Sequence, residues 1–262
     1  MWSATVEGIV AVTTYGKGFA EVYDQAGFST FSERIMPYID QNLERLDFAP
    51  RSVLDLACGT GTAAVLLARK GWKVYGVDGS PHMLEVAKNK VSKANVPVEF
   101  ILSDMRKFSL PEKVDLALSL FDSLNYITNP KEIVHVFARV KANLNENGVF
   151  MFDLNTPYFL KYRWDNSFRV FWATDNIFVV ESNLHDPKKE TTTKRFNFFV
   201  RRRQEIFERI AEEHAQRGYT MNEIRKALVD AGLLPVNFYD CFTFNEPGPK
   251  TTRIFCISKN TK

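Results

Sequence analysis

The sequence predicts an α/β fold with a doubly wound, mostly parallel sheet of seven strands and an inserted antiparallel β lid. Three observations support this prediction. Short apolar runs alternate with helical patterns from Val53 to Asn155, and runs that are apolar on both faces are typical of parallel sheets covered by helices. Partial period-two alternation from Phe168 to Ile210 then indicates three or four antiparallel strands. The chain closes with one further helical pattern and two further strand patterns.

The elements of the parallel sheet can be assigned in order. Apolar residues recur at helical spacing between Phe31 and Phe48, and Pro50 ends that pattern. Five apolar runs are predicted as parallel strands: Val53–Ala57, Lys73–Val77, Val98–Leu102, Val114–Leu120 and Val149–Leu154. Helical patterns lie between them at Thr62–Lys70, Ser80–Ala94 and Pro130–Leu144.

The second half of the chain contains the predicted lid and the last elements of the sheet. The Phe168–Ile210 stretch is rich in aromatic residues and follows the fifth strand, so it could cover the sheet edge where a ligand would lie; a small separate core is the alternative. A helix and two strands complete the sheet: Thr220–Ala231, Pro235–Phe242 and Thr251–Ser258. We therefore predict a core formed by residues 1–155 and 211–262 and an inserted lid at residues 156–210.

Composition limits the class of protein. The chain has 262 residues, 45% hydrophobic and 25% charged, which is an ordinary globular mixture. A formal net charge of +3 gives no reason to expect a nucleic acid or a membrane as partner. Three cysteines without a CxxC pair argue against a disulfide framework and favour the cytoplasm. No apolar run approaches the roughly 18 to 20 residues of a membrane span, and the first twelve residues do not resemble a secretory signal.

The most informative block is a glycine turn between a strand and a helix, Val53-Leu54-Asp55-Leu56-Ala57-Cys58-Gly59-Thr60-Gly61-Thr62. Gly59 and Gly61 lack Cβ atoms, so the backbone can approach a ligand closely and adopt positive φ. The helix that follows points free N–H groups and the positive end of its dipole at the ligand. Asp78 ends the next strand, where a carboxylate can accept both hydroxyls of a ribose. This order of elements predicts a ligand that contains a nucleoside.

Asp55 distinguishes two ligand classes that share this geometry. A dinucleotide site carries GxGxxG directly after the strand, because the pyrophosphate touches the helix N-terminus. Here Asp55 precedes the first glycine by four residues, and a carboxylate so close to the turn would repel a pyrophosphate but attract an ammonium or sulfonium group. S-adenosylmethionine carries both groups. The residues therefore favour S-adenosylmethionine, and an NAD- or nucleotide-binding protein of the same fold is the alternative.

These motifs resemble those of the class I S-adenosylmethionine-dependent methyltransferases. VLDLACGTG and VDGSPHML are similar to the family's motif I and its acidic successor. The likeness continues through Ser103-Asp104-Met105, Phe121-Asp122-Ser123-Leu124-Asn125-Tyr126 and Glu213-His214, and it covers most of the chain. It is closest to the small-molecule-type subgroup that inserts an antiparallel lid after the fifth strand. One departure is Ala57, which stands where the family's pattern has its first glycine. The resemblance implies a Rossmann-like fold and S-adenosylmethionine as cofactor.

The resemblance also implies a set of cofactor contacts. The methionine portion and ribose would lie against the turn residues Ala57, Cys58, Gly59 and Gly61, and the adenine would lie between Gly79, Met83 and Met105. Asp78 would hold the ribose hydroxyls. Asp104 would accept a hydrogen bond from the adenine amino group, unless it caps a turn instead. Phe121 would line the cofactor near the methyl, and Tyr15 and Tyr23 would close over the methionine end, although both could be core aromatics.

Catalysis makes modest demands on the protein. A sulfonium methyl is already activated, so the protein must mainly align the acceptor and exclude water. A base is needed only if the acceptor arrives protonated. His214 and Arg217 match the family's pattern, as a substrate-facing base and a carboxylate anchor; a structural histidine and an Arg217–Glu213 ion pair are the alternatives. Tyr126 follows the fourth strand, where an acceptor would enter. His82, within a helical pattern, is interpreted as a surface or packing residue.

We therefore predict a cytoplasmic S-adenosylmethionine-dependent methyltransferase that transfers a methyl group to a small molecule by in-line displacement. No metal is expected, because no His, Cys and Asp residues have metal-ligand spacing. A methyltransferase acting on RNA or protein is the alternative, and near-neutral charge without an appended binding module argues against RNA. The acceptor, the methylated atom and the oligomeric state do not follow from the sequence.

Overall fold

A computed structural model describes residues 14–164 and 167–261, which form two separate sheets. The first twelve residues, interpreted above as lacking a secretory signal, lie outside the described residues. The strands are β1 Ser52–Leu56, β2 Lys73–Asp78, β3 Glu99–Leu102, β4 Val114–Ser119, β5 Leu144–Asn155, β6 Phe168–Ala173, β7 Ile177–Asp186, β8 Thr191–Arg203, β9 Ile206–Arg217, β10 Leu234–Asp240 and β11 Arg253–Lys259. The helices are α1 Lys17–Val22, α2 Thr30–Arg45, α3 Thr62–Arg69, α4 Pro81–Ala94, α5 Ile133–Asn143, α6 Pro157–Tyr162 and α7 Met221–Asp230.

The first sheet has seven strands in the order β10-β11-β5-β4-β1-β2-β3. Strands β1 to β5 are parallel, and β11 runs antiparallel to both of its neighbours, β5 and β10. This arrangement confirms the predicted doubly wound, mostly parallel sheet of seven strands. The predicted strands and helices all form, with ends displaced by a few residues.

The core of the first sheet consists of one apolar layer on each face. Phe137 of α5 and Leu228 of α7 pack with Phe150 and Phe152 on one face. Helices α2 and α3 cover the other face, on which Ile35 and Leu67 are fully buried. Because both faces are covered, the central strands are apolar along their whole length, which is the pattern that identified them in the sequence. None of the described helices is long and apolar enough to cross a bilayer.

The second sheet contains β6, β7, β8 and β9 in antiparallel order, so the stretch predicted to hold three or four strands holds four. Its inner face packs against α1, where Phe19 meets Phe198 with ring centres 5.2 Å apart. Strand β9 continues to Arg217 and therefore crosses the boundary predicted between residues 210 and 211. Its sequence, IFERIAEEHAQR, has few apolar residues, because its inward-facing residues are mostly polar groups with buried partners.

Candidate active site

A cavity of about 570 Å³ opens at the carboxyl ends of β1, β2, β3 and β4. Such a volume is typical of small-molecule and cofactor sites, and this edge of an open α/β sheet is where such ligands bind. Eleven of the twelve predicted cofactor contacts line the cavity: Tyr15, Tyr23, Ala57, Cys58, Gly59, Asp78, Gly79, Met83, Asp104, Met105 and Phe121. Tyr126, predicted as a catalytic residue, also lines it. The twelfth, Gly61, does not line it.

The turn between β1 and α3 forms the floor of this cavity. Ala57, Gly59 and Gly61 all have positive φ, of 61°, 54° and 76°. A Cβ on Gly59 would meet no atom of the described residues within 4 Å, so this backbone is open to a ligand. A Cβ on Gly61 would lie 2.9 Å from the Cβ of Ala87, so Gly61 serves the packing of α3 against α4. Ala57 adopts the left-handed conformation that glycine adopts most easily, which explains why the family's pattern has glycine at this position.

Asp78 is held rigidly at the cavity wall. Its Oδ2 accepts a hydrogen bond from the Gly59 N–H at 2.8 Å, and its Oδ1 accepts one from the Ser80 N–H, also at 2.8 Å. Burial raises the pKa of this carboxyl, while the backbone N–H groups act in the opposite direction. Asp78 therefore joins the ends of β1 and β2 and presents a fixed acceptor to the cavity.

Asp55 carries a buried oxygen that none of the described residues satisfies. The residue is 2% exposed, and its Oδ2 has no hydrogen-bond partner among the described residues, although the residue lines the cavity. Burial raises the pKa of this carboxyl to about 7, and the nearby charge of Asp78 adds to the effect. Buried polar atoms are nearly always paired. An unpaired carboxylate oxygen beside the glycine turn therefore fits a ligand that brings a cationic donor, such as the ammonium group of S-adenosylmethionine.

Asp104 caps a turn at the edge of the cavity. It lines the cavity, and it also accepts a hydrogen bond from the Arg106 N–H at 2.8 Å, as a turn-capping residue does. The Arg106 guanidinium lies 2.5 Å from the Asp104 carboxylate and lowers the pKa of that carboxyl. Arg106 also pairs with Glu132 of the segment before α5. The position of Asp104 beside Met105 is thus fixed by an ion pair.

The segment at Tyr15 and Gly16 closes one side of the cavity. The Glu212 carboxylate of β9 accepts hydrogen bonds from the backbone N–H groups of both residues, at 2.9 and 3.0 Å. Ser80, at the start of α4, donates to the Tyr15 carbonyl at 2.8 Å. The segment is therefore held between the second sheet and the β2–α4 turn. Glu212 has no local sequence signal, because its partners lie almost 200 residues away.

His214 lies behind the cavity wall rather than in it. Tyr15 donates a hydrogen bond to the Tyr126 hydroxyl at 2.9 Å, and the Tyr126 hydroxyl lies 3.0 Å from His214 Nδ1. His214 is 1% exposed and lies behind Tyr126 and Tyr15, which line the cavity and whose rings contact the imidazole. Burial, and then the charge of Lys194, lower the pKa of His214 to about 4, so the ring is neutral at pH 7. His214 was predicted as a substrate-facing base or hydrogen-bond partner, with a structural histidine as the alternative, and the structure places its ring behind the cavity wall.

Arg217 is not brought to the cavity. It forms ion pairs with Glu223 at 2.7 Å and with Glu190 at 3.0 Å. The alternative partner considered above, Glu213, lies four residues away on the same strand, about 13 Å along it, and pairs with Arg195 instead. Because β9 is a strand, His214 and Arg217 point to opposite faces. The sequence predicted both as site residues, and the structure separates them.

Several cavity residues had no assigned role in the sequence. His82 lines the cavity from the first turn of α4, where it was expected to be a surface or packing residue. The signal was present, since Ser80 caps α4 and Pro81 begins it, and these place His82 at the helix end beside the site. Ser29 and Ser32 line the cavity from α2 and the residue before it, with no comparable signal. Within residues 14–164 and 167–261, no group of three or more His, Cys, Asp and Glu residues is placed to hold a metal.

Comparison with known proteins agrees with this geometry. A family model described as a methyltransferase domain matches residues 53–148. A relative from Geobacillus sp. (strain WCH70), named "Putative methyltransferase GWCH70_2453", is 30% identical over 80% of this chain and 84% of its own. The solved structure of a S-adenosylmethionine-dependent methyltransferase from Clostridium acetobutylicum ATCC 824 is 28% identical, with a TM-score of 0.82 over 94% of this chain and 98% of that one.

A further solved structure shares the fold at lower identity. The sugar N-methyltransferase KedS8 from Streptoalloteichus sp ATCC 53650 is 19% identical, with a TM-score of 0.71 over 100% of this chain and 98% of its own. The fold, the glycine turn with its acidic residues and these relatives lead to one assignment. The chain belongs to the class I S-adenosylmethionine-dependent methyltransferases, and S-adenosylmethionine is its cofactor.

Proposed function

We propose that this methyltransferase acts on a small-molecule acceptor, which enters the cavity at the end formed by Phe121, Ser123 and Tyr126. The proposal depends most on one observation: the cavity continues from the glycine turn to these residues at the end of β4. The second sheet, predicted as a lid at residues 156–210, would cover this end. KedS8, a sugar N-methyltransferase matched along nearly its whole length, supports a small molecule as the acceptor. The three free cysteines support a cytoplasmic setting.

Under this proposal, the described residues hold the cofactor at both of its ends. S-adenosylmethionine, when bound, supplies an electrophilic methyl group on a sulfonium. Asp55 would pair with its ammonium group, Asp78 would accept from the ribose hydroxyls, and Asp104 would accept from the adenine amino group. Tyr15 and Tyr23 would exclude water from the methionine end. The remaining contacts of the turn are backbone groups, which approach closely because Gly59 has no side chain.

Tyr126 and His214 would serve an acceptor that arrives with a proton. With Tyr15 donating to Tyr126 and Tyr126 donating to Nδ1, the neutral imidazole carries its proton on Nε2. His214 Nε2 lies 3.7 Å from a carboxylate oxygen of Glu212. In such a relay, Tyr126 would take the acceptor's proton while passing its own proton to Nδ1, and Nε2 would release its proton to the Glu212 carboxylate, so that the histidine ends uncharged. We place Tyr126 in contact with the acceptor and His214 in a supporting position, and we assign Arg217 no contact with either substrate.

Calorimetry tests the cofactor assignment. We expect S-adenosylhomocysteine to bind with micromolar affinity and NAD not to bind, because the carboxylates at the turn oppose a pyrophosphate. Tight binding of NAD, or none of S-adenosylhomocysteine, would contradict the proposal.

An Asp78→Ala variant tests the ribose contact. We expect it to weaken S-adenosylhomocysteine binding by about 1.5 to 3 kcal/mol, because charge-assisted hydrogen bonds are lost. Its melting temperature without ligand must be measured in parallel, since Asp78 also ties Gly59 to Ser80. A dissociation constant equal to that of the wild type would remove Asp78 from the cofactor site.

Labelled methyl transfer tests the acceptor class. The enzyme is incubated with methyl-tritiated S-adenosylmethionine and a cell extract separated into metabolites below 3 kDa, RNA and protein. We expect label in the metabolite fraction. Label in the RNA or protein fraction alone would overturn the small-molecule proposal and favour the alternative acceptor.

A further inference from the structure

The turn that follows β4 is an unusual piece of backbone in the cavity wall. Phe121 and Asp122 are consecutive residues with φ of 59° and 51°, and neither is a glycine. The left-handed conformation is strained for an L-residue, because its Cβ comes too close to the following carbonyl oxygen. Such conformations persist only where the surroundings hold them in place, and they concentrate at functional sites. Something in the protein must therefore hold this bend, which presents Phe121 to the cavity.

Asp153, near the end of β5, holds the backbone of the bend. Its Oδ1 accepts a hydrogen bond from the Phe121 N–H at 2.6 Å, and its Oδ2 accepts one from the Asp122 N–H at 2.9 Å. Asp153 is fully buried. One carboxylate thus satisfies two successive amides in the left-handed segment.

Arg253, at the start of β11, fixes both this carboxylate and the aromatic ring. Its guanidinium pairs with Asp153 and, at 2.7 Å, with Asp122. It also lies over the ring of Phe31, 4.8 Å from the ring centre. Phe31 in turn stacks on Phe121, with ring centres 4.9 Å apart. The backbone and the side chain of Phe121 are therefore held by the same cation.

Gln216 connects the bend to the second sheet. It lies on β9, it is buried, and its Nε2 donates a hydrogen bond to Asp122 Oδ2. Its Oε1 accepts from Asn155 Nδ2 at 3.2 Å, at the end of β5. Gln216, Asp153 and Arg253 do not line the cavity. They nevertheless form a continuous path of contacts from β9 to Phe121, which lines the cavity.

We propose that Asp153 and Arg253 are positioning residues that hold Phe121 against the cofactor, and that Gln216 couples this bend to the docking of β9. Binding of the cofactor's methionine end and docking of the second sheet then favour one another, because both require the same bend. The inference rests on the proposed function in placing the methionine end near Phe121 and the adenosine near Asp78.

The test compares two probes, S-adenosylhomocysteine and adenosine, on Asp153→Asn and Gln216→Leu variants. We expect each variant to bind S-adenosylhomocysteine about tenfold more weakly. Most molecules of the variant would lack the bend, and they must form it before they can bind. Adenosine affinity should stay within about twofold of the wild type, since adenosine lacks the portion that reaches Phe121. A general loss of structure would weaken both probes together. If Asp153→Asn does not fold, Gln216→Leu alone decides the comparison.

The double variant tests the coupling. Because each substitution destabilises the same bend, which is mostly formed in the wild type, Asp153→Asn with Gln216→Leu should bind S-adenosylhomocysteine with a loss greater than the about hundredfold that independent tenfold effects would give. A loss of about hundredfold or less would overturn the coupling, and equal weakening of adenosine would overturn the positioning role.

Asp115→Asn is the matched control. Asp115 holds the backbone N–H groups of Arg51 and Ser52 at 2.9 and 3.1 Å, as Asp153 holds its pair, but at the opposite end of the sheet. We expect a lower melting temperature and unchanged affinity for both probes. An Asp115→Asn loss equal to that of Asp153→Asn would show that the effect is general and would overturn the inference. If the wild type fails to bind S-adenosylhomocysteine, the proposed function is wrong and the inference falls with it.

Discussion

Asp55 should make cofactor binding depend on pH. Its carboxyl is buried, one of its oxygens has no partner among the described residues, and burial raises its pKa to about 7. A ligand ammonium pairs only with the ionised form, so below pH 7 binding must first remove a proton. We expect the affinity for S-adenosylhomocysteine to fall about 25-fold between pH 7.5 and pH 5.5. Calorimetry across this range measures it.

The isosteric Asp55→Asn variant is the control for that measurement. It should bind S-adenosylhomocysteine more weakly than the wild type at pH 7.5, with much less change toward pH 5.5, because the titrating group is gone. A wild-type affinity that stays constant from pH 5.5 to 7.5 would mean that Asp55 does not meet a cation in the bound state.

The residues that could be predicted from the sequence are those whose neighbours lie close in the chain. Asp78 ends its strand, and the turn at Gly59 lies between a strand and a helix. The local sequence pattern was therefore sufficient to predict that both residues lie at the cavity. Glu212 and Arg253 were not predicted, because their partners lie about 100 to 200 residues away. Arg217 was assigned to the site from its position in a motif, but the face of the strand it occupies was unknown.

At the scale of elements, Gly61 controls how α3 meets α4. Alanine there would adopt a φ of 76° and place its Cβ 2.9 Å from the Cβ of Ala87. We expect Gly61→Ala to lower the free energy of unfolding by about 2 to 4 kcal/mol, from backbone strain and a forced separation of the helices. Urea unfolding followed by circular dichroism measures this loss.

Gly71 offers a control for the strain alone. Its φ is 82°, yet a Cβ there would meet nothing within 4 Å. Gly71→Ala should therefore cost only about 1 kcal/mol. Similar losses at the two glycines would show that the contact between α3 and α4 adds nothing beyond backbone strain.

The strands and helices of the first sheet were predicted well because burial on both faces leaves a continuous apolar pattern. Strand β9 was predicted less well, since it was expected to end near residue 210 and continues to Arg217. Its inward residues include Glu212, His214 and Gln216, which are buried by pairing with the N-terminal segment and the end of β4. A strand whose inner face is polar has no period-two hydrophobic signal, so its extent depends on tertiary contacts.

At the scale of the whole molecule, the two sheets meet across buried polar groups. Glu212 holds Tyr15 from the second sheet, and His214 meets Tyr126 from the first. The groups facing the His214 ring are Lys194 on β8, Glu212 on β9, and the hydroxyls of Tyr15 and Tyr126. None of these groups stabilises a positive charge on the ring enough to offset its burial. Burial and the charge of Lys194 therefore keep the pKa of His214 at about 4.

The lowered pKa of His214 should make the stability of the folded protein sensitive to acid. Unfolded histidine has a pKa of about 6.5. Between pH 6.5 and pH 4 the unfolded chain therefore binds a proton that the folded protein excludes. The free energy of unfolding consequently decreases as the pH is lowered through this range. We expect the His214 contribution to that fall to reach about 2 to 3 kcal/mol. Urea unfolding of the wild type and of His214→Gln, which keeps an acceptor for Tyr126, should therefore give curves that converge or cross as pH decreases. Parallel curves would mean that His214 has the same pKa in the folded and unfolded protein, and would contradict the lowered pKa.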